Sequence, residues 1–247
     1  MKEKIKFPIV PLICITLAFM PVSCKKDTDN PDVSSFTDAR DGSTYSTVKL
    51  GNQTWMAVNL TYLPSVSPSS VGAVIANNYA DPYYYVYDYE GTNIEQAMAN
   101  GNYGTYGVLY NWKAALTACP TGWHLPTDDE WKELEIFLGM SQSDTDVRGD
   151  NRGTNEGSKI AGNSSLWDNG FLINNSGFNS SKFMALPAGF RSNLKYFTGI
   201  GGYTTWWCSS EEAVGIAWSR ELDYDYTNLI RCYYIKDYGF SVRCIKD

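Results

Sequence analysis

Apolar residues run almost without a break from Phe7 to Val22, behind a short basic stretch carrying Lys2, Lys4 and Lys6. A positive segment followed by an apolar one is the layout of a secretory signal. The run falls short of the ~20 residues that a bilayer-spanning helix needs, and Pro8, Pro11 and Pro21 interrupt it. Residues 25–32 are polar and aperiodic, which predicts a flexible tether over residues 24–35. The remainder, residues 36–247, is long enough for one domain with its own core.

Inside that domain the periodicity changes repeatedly. Two β-prone stretches, Tyr45–Leu50 and Gln53–Val58, flank Gly51 and Asn52 and predict a hairpin with a two-residue turn. A Ser/Pro loop runs from Pro64 to Pro68. In the stretch Tyr79–Tyr89, Tyr83, Tyr85, Tyr87 and Tyr89 alternate, so an extended backbone would set them on one face. Thr92 and Glu95 have the spacing of a capping box for a short helix ending near Gly101. Two better-supported helices follow. Tyr110–Ala118 would place Trp112, Ala115, Leu116 and Cys119 on one side, with Pro120 ending it. The next opens on the capping box Thr127-Asp-Asp-Glu130, with Trp131, Leu134, Phe137 and Leu138 as its apolar stripe and Gly139 as its C-cap.

Ser141–Trp167 is rich in Gly, Asn and Asp and predicts mostly loop. Five β-prone segments close the chain: Phe183–Phe190, Thr204–Ser209, Gly215–Leu222, Leu229–Ile235 and Phe240–Ile245. In the last, Phe240, Val242 and Cys244 share one face, and Ser241, Arg243 and Ile245 share the other. A hairpin, then helices, then antiparallel strands make an α+β fold, with no βαβ alternation and no repeat of fixed period.

Charge and cysteines narrow the setting. The formal net charge is −7, and losing three Lys and one Glu with the signal takes it to −9. Such a surface repels phosphate backbones, so nucleic acid is not an expected partner. Val22-Ser23-Cys24 ends like a lipobox, in which small residues precede the cysteine that takes the lipid, although Pro21 stands where leucine is more usual. Lipidation of Cys24 is the expectation, once the signal has directed export of residues 24–247 across the inner membrane. The domain would then hang from the outer membrane or cell surface by that lipid alone. Cleavage near Ser23 with Cys24 left as a free thiol is the alternative. With Cys14 and Cys24 set aside, Cys119, Cys208, Cys232 and Cys244 remain, which in an oxidising compartment suggests two disulfides in one of three pairings. No close CxxC pair accompanies the single histidine, His124, which excludes a zinc ribbon.

Five phrases stand in order: Gly51-Asn-Gln-Thr-Trp-Met-Ala-Val-Asn-Leu60, Tyr106-Gly-Val-Leu-Tyr-Asn-Trp112, Cys119-Pro-Thr-Gly-Trp-His-Leu-Pro-Thr-Asp-Asp-Glu-Trp131, Ala185-Leu-Pro-Ala-Gly189 and Gly239-Phe-Ser-Val-Arg-Cys244. Together they resemble the Fibrobacter succinogenes major paralogous domain, a family of envelope lipoproteins, over nearly the whole mature chain. A deeper similarity is to the C-type-lectin-like fold and its sulfatase-modifying relatives. There a cysteine ends a first helix, a Leu-Pro-Thr-like phrase opens a second, and the final strand carries the last cysteine. That resemblance implies a C-type-lectin-like α+β domain with two helices and a mainly antiparallel sheet, Cys119 bonded to Cys244, and Cys208 to Cys232. In the chain-entropy treatment the first bridge is worth ~5 kcal/mol and the second ~3 kcal/mol.

Most candidate chemistry has a plainer explanation. The sulfatase-modifying relatives oxidise cysteine with a reactive thiol pair near the C-terminus. Here Cys232 and Cys244 are the only C-terminal pair, and the implied disulfides occupy both. An oxidase of that kind is therefore the alternative reading, not the leading one. Calcium-dependent lectins use a Glu-Pro-Asn or Gln-Pro-Asp triplet with Trp-Asn-Asp, whereas this chain has Trp167-Asp168-Asn169 and no proline triplet. Asp144, Asp146 and Asp150 are faintly EF-hand-like, but Arg148 stands at a ligand position and Asn155 replaces the bidentate Glu. A solvated acidic loop is expected there. His124, set between Trp123 and Leu125 before a helix cap, reads as packed and structural rather than as the base of a triad. Helix capping accounts for Asp128, Asp129 and Glu130. No catalytic residue, metal or cofactor is expected.

The aromatic content is the remaining signal, with 18 Tyr, 10 Phe and 8 Trp. Sheets favour such residues, and Trp55, Trp112 and Trp131 read as core. Tyr224 and Tyr226, by contrast, sit in an Asp/Asn-rich hairpin loop, where rings can stack on sugars and carboxylates or amides can bond their hydroxyls. The expected ligand face joins the Ser141–Trp167 loop to the Asp223–Asn228 loop. Trp167, Tyr224, Asp225 and Tyr226 are its candidate ligand residues, and Asp144, Asp146, Asp150 and Asp223 add an acidic rim. That rim favours a neutral or basic partner. The expectation is a non-enzymatic surface module for glycan or protein, with a purely structural or adhesive envelope component as a further alternative.

Overall fold

The computed structural model describes residues 33–72 and 79–247, together with Met1. The signal segment, Cys24 and residues 25–32 of the tether lie outside the described residues. The end of the assigned tether is a strand instead: β1 (Val33–Thr37) pairs antiparallel with β2 (Thr44–Leu50). Phe36 supplies the reason, since its ring stacks on Trp123 at 4.5 Å and on Tyr45 at 5.5 Å.

β2 turns through Gly51 and Asn52 into β3 (Gln53–Met56), with Leu50 opposite Gln53, as the hairpin pattern predicts. Gly51 takes a φ of +61°, a conformation that glycine adopts without a Cβ penalty. β4 (Tyr84–Tyr85) then pairs with β5 (Leu109–Tyr110) around α1 (Ile94–Met98) and α2 (Gly101–Tyr106). Asn93, not Thr92, caps α1, and Asn100 caps α2, so Gly101 opens a helix rather than ending one. The tyrosine alternation also stops early. The chain turns at Val86, where Tyr89 N–H donates to the Val86 carbonyl, and Tyr85 is fully buried.

α3 (Trp112–Ala115) is a single turn capped by Asn111, shorter than expected, and leaves Leu116 37% exposed beyond it. β6 (Trp123–His124) leads into α4 (Asp128–Phe137). Its capping box forms as predicted: Thr127 Oγ1 accepts from Glu130 N–H at 3.1 Å, and Glu130 Oε2 accepts from Thr127 N–H at 2.7 Å. Gly139, at φ +108°, donates to the Ile136 carbonyl while Met140 donates to Glu135, which is a Schellman ending. Trp131, Leu134 and Leu138 are buried, but Phe137 is 51% exposed and lies off the stripe.

The following segment is more ordered than its composition suggests. It holds α5 (Gln142–Thr145), α6 (Glu156–Ile160) and a 3-10 turn over Ser164–Leu166, before α7 (Phe171–Asn174). The last part comprises β7 (Ala188–Arg191), β8 (Phe197–Ile200), β9 (Tyr203–Ala213), β10 (Ile216–Asp223), β11 (Ile230–Ile235) and β12 (Ile245–Lys246). β8 was not expected from the sequence. It is a short edge strand with all four residues half-buried, so it carries no clean alternation.

One sheet has the order β1-β2-β3-β12-β6 and another β11-β10-β9-β7-β8. The described strands pair antiparallel with one another, except that β7 meets β9 in parallel at Gly189 and Thr204; Trp206 on β9 also makes an isolated parallel bridge to Ser241. The architecture is α+β. Consecutive tryptophans on β9 divide the interior: Trp207 joins the core built with Tyr110, Phe240 and Val242, while Trp206 joins the one built with Trp55, Trp131 and Phe183. The last segment alternates as predicted, with Phe240, Val242 and Cys244 in the first core and Ile245 in the second.

Cys119 is bonded to Cys244, with Cα atoms 5.9 Å apart across a sequence separation of 125. The second implied bridge does not form, and Cys208 and Cys232 are free thiols. Sheet register explains why. Trp207, Ser219 and Cys232 lie opposite one another across β9, β10 and β11, so they share a face. Cys208 follows Trp207 and points to the other face, against Arg220, with β10 between the two sulfurs.

A buried ion network fixes α4 to this second sheet. Arg220 Nε donates to Glu135 Oε1 at 2.5 Å, and Arg220 Nη1 donates to Asp128 Oδ1 at 2.8 Å. Arg152 grips both oxygens of Glu135, at 2.9 and 2.5 Å, and Arg231 grips both of Asp128, at 2.9 and 2.7 Å. Asp128 is thus an anchor as well as a first-turn carboxylate, a role that helix capping did not reveal.

Two outcomes follow from this packing. Glu135→Ala leaves Arg152 and Arg220 buried beside one carboxylate fewer, and should cost about 3–5 kcal/mol in urea unfolding. Asp129→Ala, on the exposed side of the first turn of α4, should stay within about 0.5 kcal/mol. Alkylation of the native protein should leave Cys208 and Cys232 unlabelled. In denaturant without reductant the peptide map should show both labelled, and Cys119 and Cys244 only after reduction.

Candidate functional site

The two loops expected to form a ligand face do meet. Asn228 Nδ2 donates to the Asp150 carbonyl and, at 2.9 Å, to that of Arg152. Thr227 Oγ1 donates to the Thr154 carbonyl at 2.6 Å, and Gly149 and Arg231 exchange backbone hydrogen bonds. The join is made by backbone carbonyls and one buried asparagine, so it is stiff.

Its residues differ from the expected set. Trp167 is only 5% exposed and belongs to the second core, where its indole N–H donates to the Gly162 carbonyl at 3.1 Å. Its ring is therefore packed inside the domain and not presented on the loop face. Tyr224 is half-buried: its ring meets Tyr203 edge-on at 6.4 Å, and its carbonyl accepts from Leu172 N–H. Asp225 and Tyr226 are exposed as expected, Tyr226 at 41%. Phe171, at the start of α7 and 69% exposed, was missed because nothing in its local sequence distinguishes it from a core phenylalanine. Phe171, Thr154, Asp225, Tyr226 and Asn228 line a shallow depression of about 340 Å³.

The acidic rim is partly committed elsewhere. Asp146 pairs with Lys132 at 2.7 Å. Arg148 lies over the Tyr233 ring and donates to its hydroxyl. Burial raises the Asp223 carboxyl above its ordinary value. The carboxylates of Asp150, Asp223 and Asp225 all act on the Tyr226 phenol and raise it, Asp150 most.

A second, deeper cavity of about 240 Å³ lies between β2, the Val58–Thr61 segment and α2, with Arg243 in its wall. Asn59 is the hub of that wall. Its Oδ1 accepts from Arg243 Nε at 2.8 Å and from Trp206 Nε1 at 3.1 Å, and its Nδ2 donates to the Tyr106 carbonyl and to Ser241 Oγ.

Neither thiol is poised for chemistry. Burial pushes Cys208 up to about 12 and Cys232 up to about 11, so neither supplies thiolate at neutral pH. His124 bridges Asp247 Oδ1 at 2.6 Å and Glu130 Oε1 at 2.8 Å. Only the doubly protonated ring donates to both. Partial burial lowers its pKa, but the hydrogen bonds to Asp247 and Glu130 outweigh that and raise it above its ordinary value. Burial likewise pushes Glu130 up, while the Thr127 amide and His124 overrule it and hold the carboxyl low.

The fold and these sites define a disulfide-pinned α+β domain with an arginine-threaded interior and an aromatic depression at one loop junction. The chain belongs to the Fibrobacter succinogenes major domain family, whose pattern it matches over residues 48–246. No curated protein and no solved structure matches it.

The His124 bridge has a pH signature. Its raised folded-state value means the contribution is complete below the unfolded value of 6.5 and is lost as pH rises through the folded one. The depressed Glu130 works the other way: its contribution is present above 4.5 and is lost as pH falls. The urea midpoint of the wild-type chain should therefore decline above neutrality relative to that of His124→Gln. A constant difference between the two from pH 5 to 9 would show that the bridge contributes no charge.

Proposed function

We propose that this is a non-enzymatic binding module held at the cell envelope by a lipid on Cys24, and that its loop junction binds an uncharged glycan. Export across the inner membrane and display at the outer membrane or cell surface belong to the same reading. The observation that carries it is the pairing of two exposed rings, Phe171 and Tyr226, around a depression furnished with Asp225, Thr154 and Asn228. Two exposed rings lining one depression form an apolar patch of the kind that marks interaction sites. Rings of this kind stack on the apolar faces of sugars, while carboxylate and amide oxygens accept from sugar hydroxyls. The acidic surroundings disfavour acidic polymers, which leaves neutral or basic partners. An open depression gives weak single-site binding, raised by repeated sites along a polymer.

The kinship to C-type-lectin-like domains is part of this reading. It is supported by a cysteine just past α3, a capping box opening α4, and the last cysteine beside the final strand, bonded to the first.

A glycan array with the soluble domain identifies the ligand, and calorimetry with the best hit tests the site. Phe171→Ala with Tyr226→Ala should weaken binding about tenfold or more, ~1.4 kcal/mol, and leave the melting temperature nearly unchanged. Retained affinity in that double variant, or no neutral glycan bound by the wild type, refutes the reading. Tyr224→Ala is unsuitable for this purpose, since it removes a ring packed on the second core.

A further inference from the structure

We infer that the cavity beside Arg243 is a second ligand site, separate from the loop junction, and that it takes a small hydroxylated carboxylate. The inference does not rest on the glycan reading.

Arg243 is fully buried, yet it differs from the other buried arginines in having no acidic partner among the described residues. Arg152 and Arg220 bind Glu135, Arg231 binds Asp128, and Arg191 binds Asp237. Arg243 instead donates to Asn59 Oδ1 at 2.8 Å and to the carbonyls of Met56, Phe183 and Met184 at 3.2, 2.5 and 3.0 Å. Those four bonds leave one of the five guanidinium N–H groups unassigned. Carbonyls and the Phe183 ring, 4.6 Å away, solvate a cation but do not neutralise it. Burial consequently pulls the group down to about 9, with no opposing charge to restore it.

An uncompensated buried charge is costly, and the chain, at −7, is not short of carboxylates with which to cancel it. Among the described residues, none of those carboxylates lines this cavity. The wall offers the Tyr106 phenol, which bonds no other group among the described residues, and the Thr105 hydroxyl, which donates to the Gly101 carbonyl at 3.0 Å and can still accept, while the Tyr45 and Thr61 hydroxyls bond each other at 2.8 Å. A single cation faced by hydroxyls suits a ligand with one carboxylate and several hydroxyl groups, and about 240 Å³ suits one the size of a monosaccharide. The overall negative charge opposes approach of an anion, but salt at physiological strength screens it beyond ~8 Å, whereas the Arg243 contact is local.

The cavity mouth provides variants that avoid disturbing Arg243. A Cβ at Gly104 meets nothing within 4 Å, and Val58 is 36% exposed. The probes are D-glucuronate and, as its neutral counterpart, D-glucose, titrated calorimetrically into the full chain with thermal melts in parallel. The wild type should bind glucuronate saturably and melt at a higher temperature in its presence, with glucose at least about tenfold weaker. Gly104→Phe should match the wild-type melting temperature without ligand and lose the glucuronate response. Val58→Glu should weaken glucuronate binding about tenfold and Val58→Lys should strengthen it, which keeps the test open if Gly104→Phe folds poorly. No response to glucuronate, an equal response to glucose, or indifference to the charge at position 58 overturns the inference. Loss of the response in Phe171→Ala with Tyr226→Ala, but not in the cavity variants, would assign it to the loop junction and overturn it as well.

Discussion

Asp128 and Glu135 lie seven residues apart on α4, close to two full turns, so both carboxylates leave the helix on the same side. Three arginines from three different segments close on them: Arg152 from the loop after α5, Arg220 from β10 and Arg231 from β11. Each charge is buried, and none is tolerable there without the others. Burial alone would raise the Asp128 carboxyl, but hydrogen bonds from Arg231 and the charge of Arg220 hold it well below the usual carboxylate range. The network therefore fixes relative position in a way that apolar contact between α4 and the sheet does not. Wherever α4 sits, β10, β11 and the Asp144–Arg152 stretch must follow.

That constraint reaches the loop junction directly. Arg152 also donates to the carbonyls of Thr145 and Leu229, and Arg231 to that of Asp146, so the guanidiniums tie loop backbone to strand backbone. Arg231 lies 3.6 Å over the Trp218 ring, which closes the other side of the same cluster. A Gly/Asn/Asp-rich segment with no core of its own becomes a rigid rim because an arginine within it is inserted into the domain. Phe171 and Tyr226 are then held at a fixed junction between segments far apart in sequence.

β9 imposes the second constraint. Its two tryptophans serve opposite cores and satisfy their N–H groups on opposite sides, Trp206 on Asn59 Oδ1 and Trp207 on the Tyr110 carbonyl. The same alternation keeps Cys208 and Cys232 apart, so thiol-pair oxidation has no geometry here. The disulfide that does form ties the segment after α3 to the residue just before β12, an inner strand of the other sheet, and so joins parts of the chain 125 residues apart.

Local rules were sufficient wherever structure is decided within a few residues. The Gly51–Asn52 hairpin, the Thr127–Glu130 capping box, the Gly139 ending and the alternation from Phe240 to Ile245 all follow from turn, cap and period chemistry, which the sequence states outright. The family was legible for a related reason, since its five phrases are strings of such local instructions. The α+β class followed from their order. What only the tertiary structure decided is which polar groups go inside. Asp128 reads as a helix cap, Arg152 as loop and Trp167 as a ligand ring, because burial depends on partners tens of residues away that no local pattern names. The candidate site was half legible for that reason: a turn exposes Asp225 and Tyr226 whatever surrounds it, whereas the burial of Trp167, the exposure of Phe171 and the solitary charge of Arg243 depend on how distant segments pack.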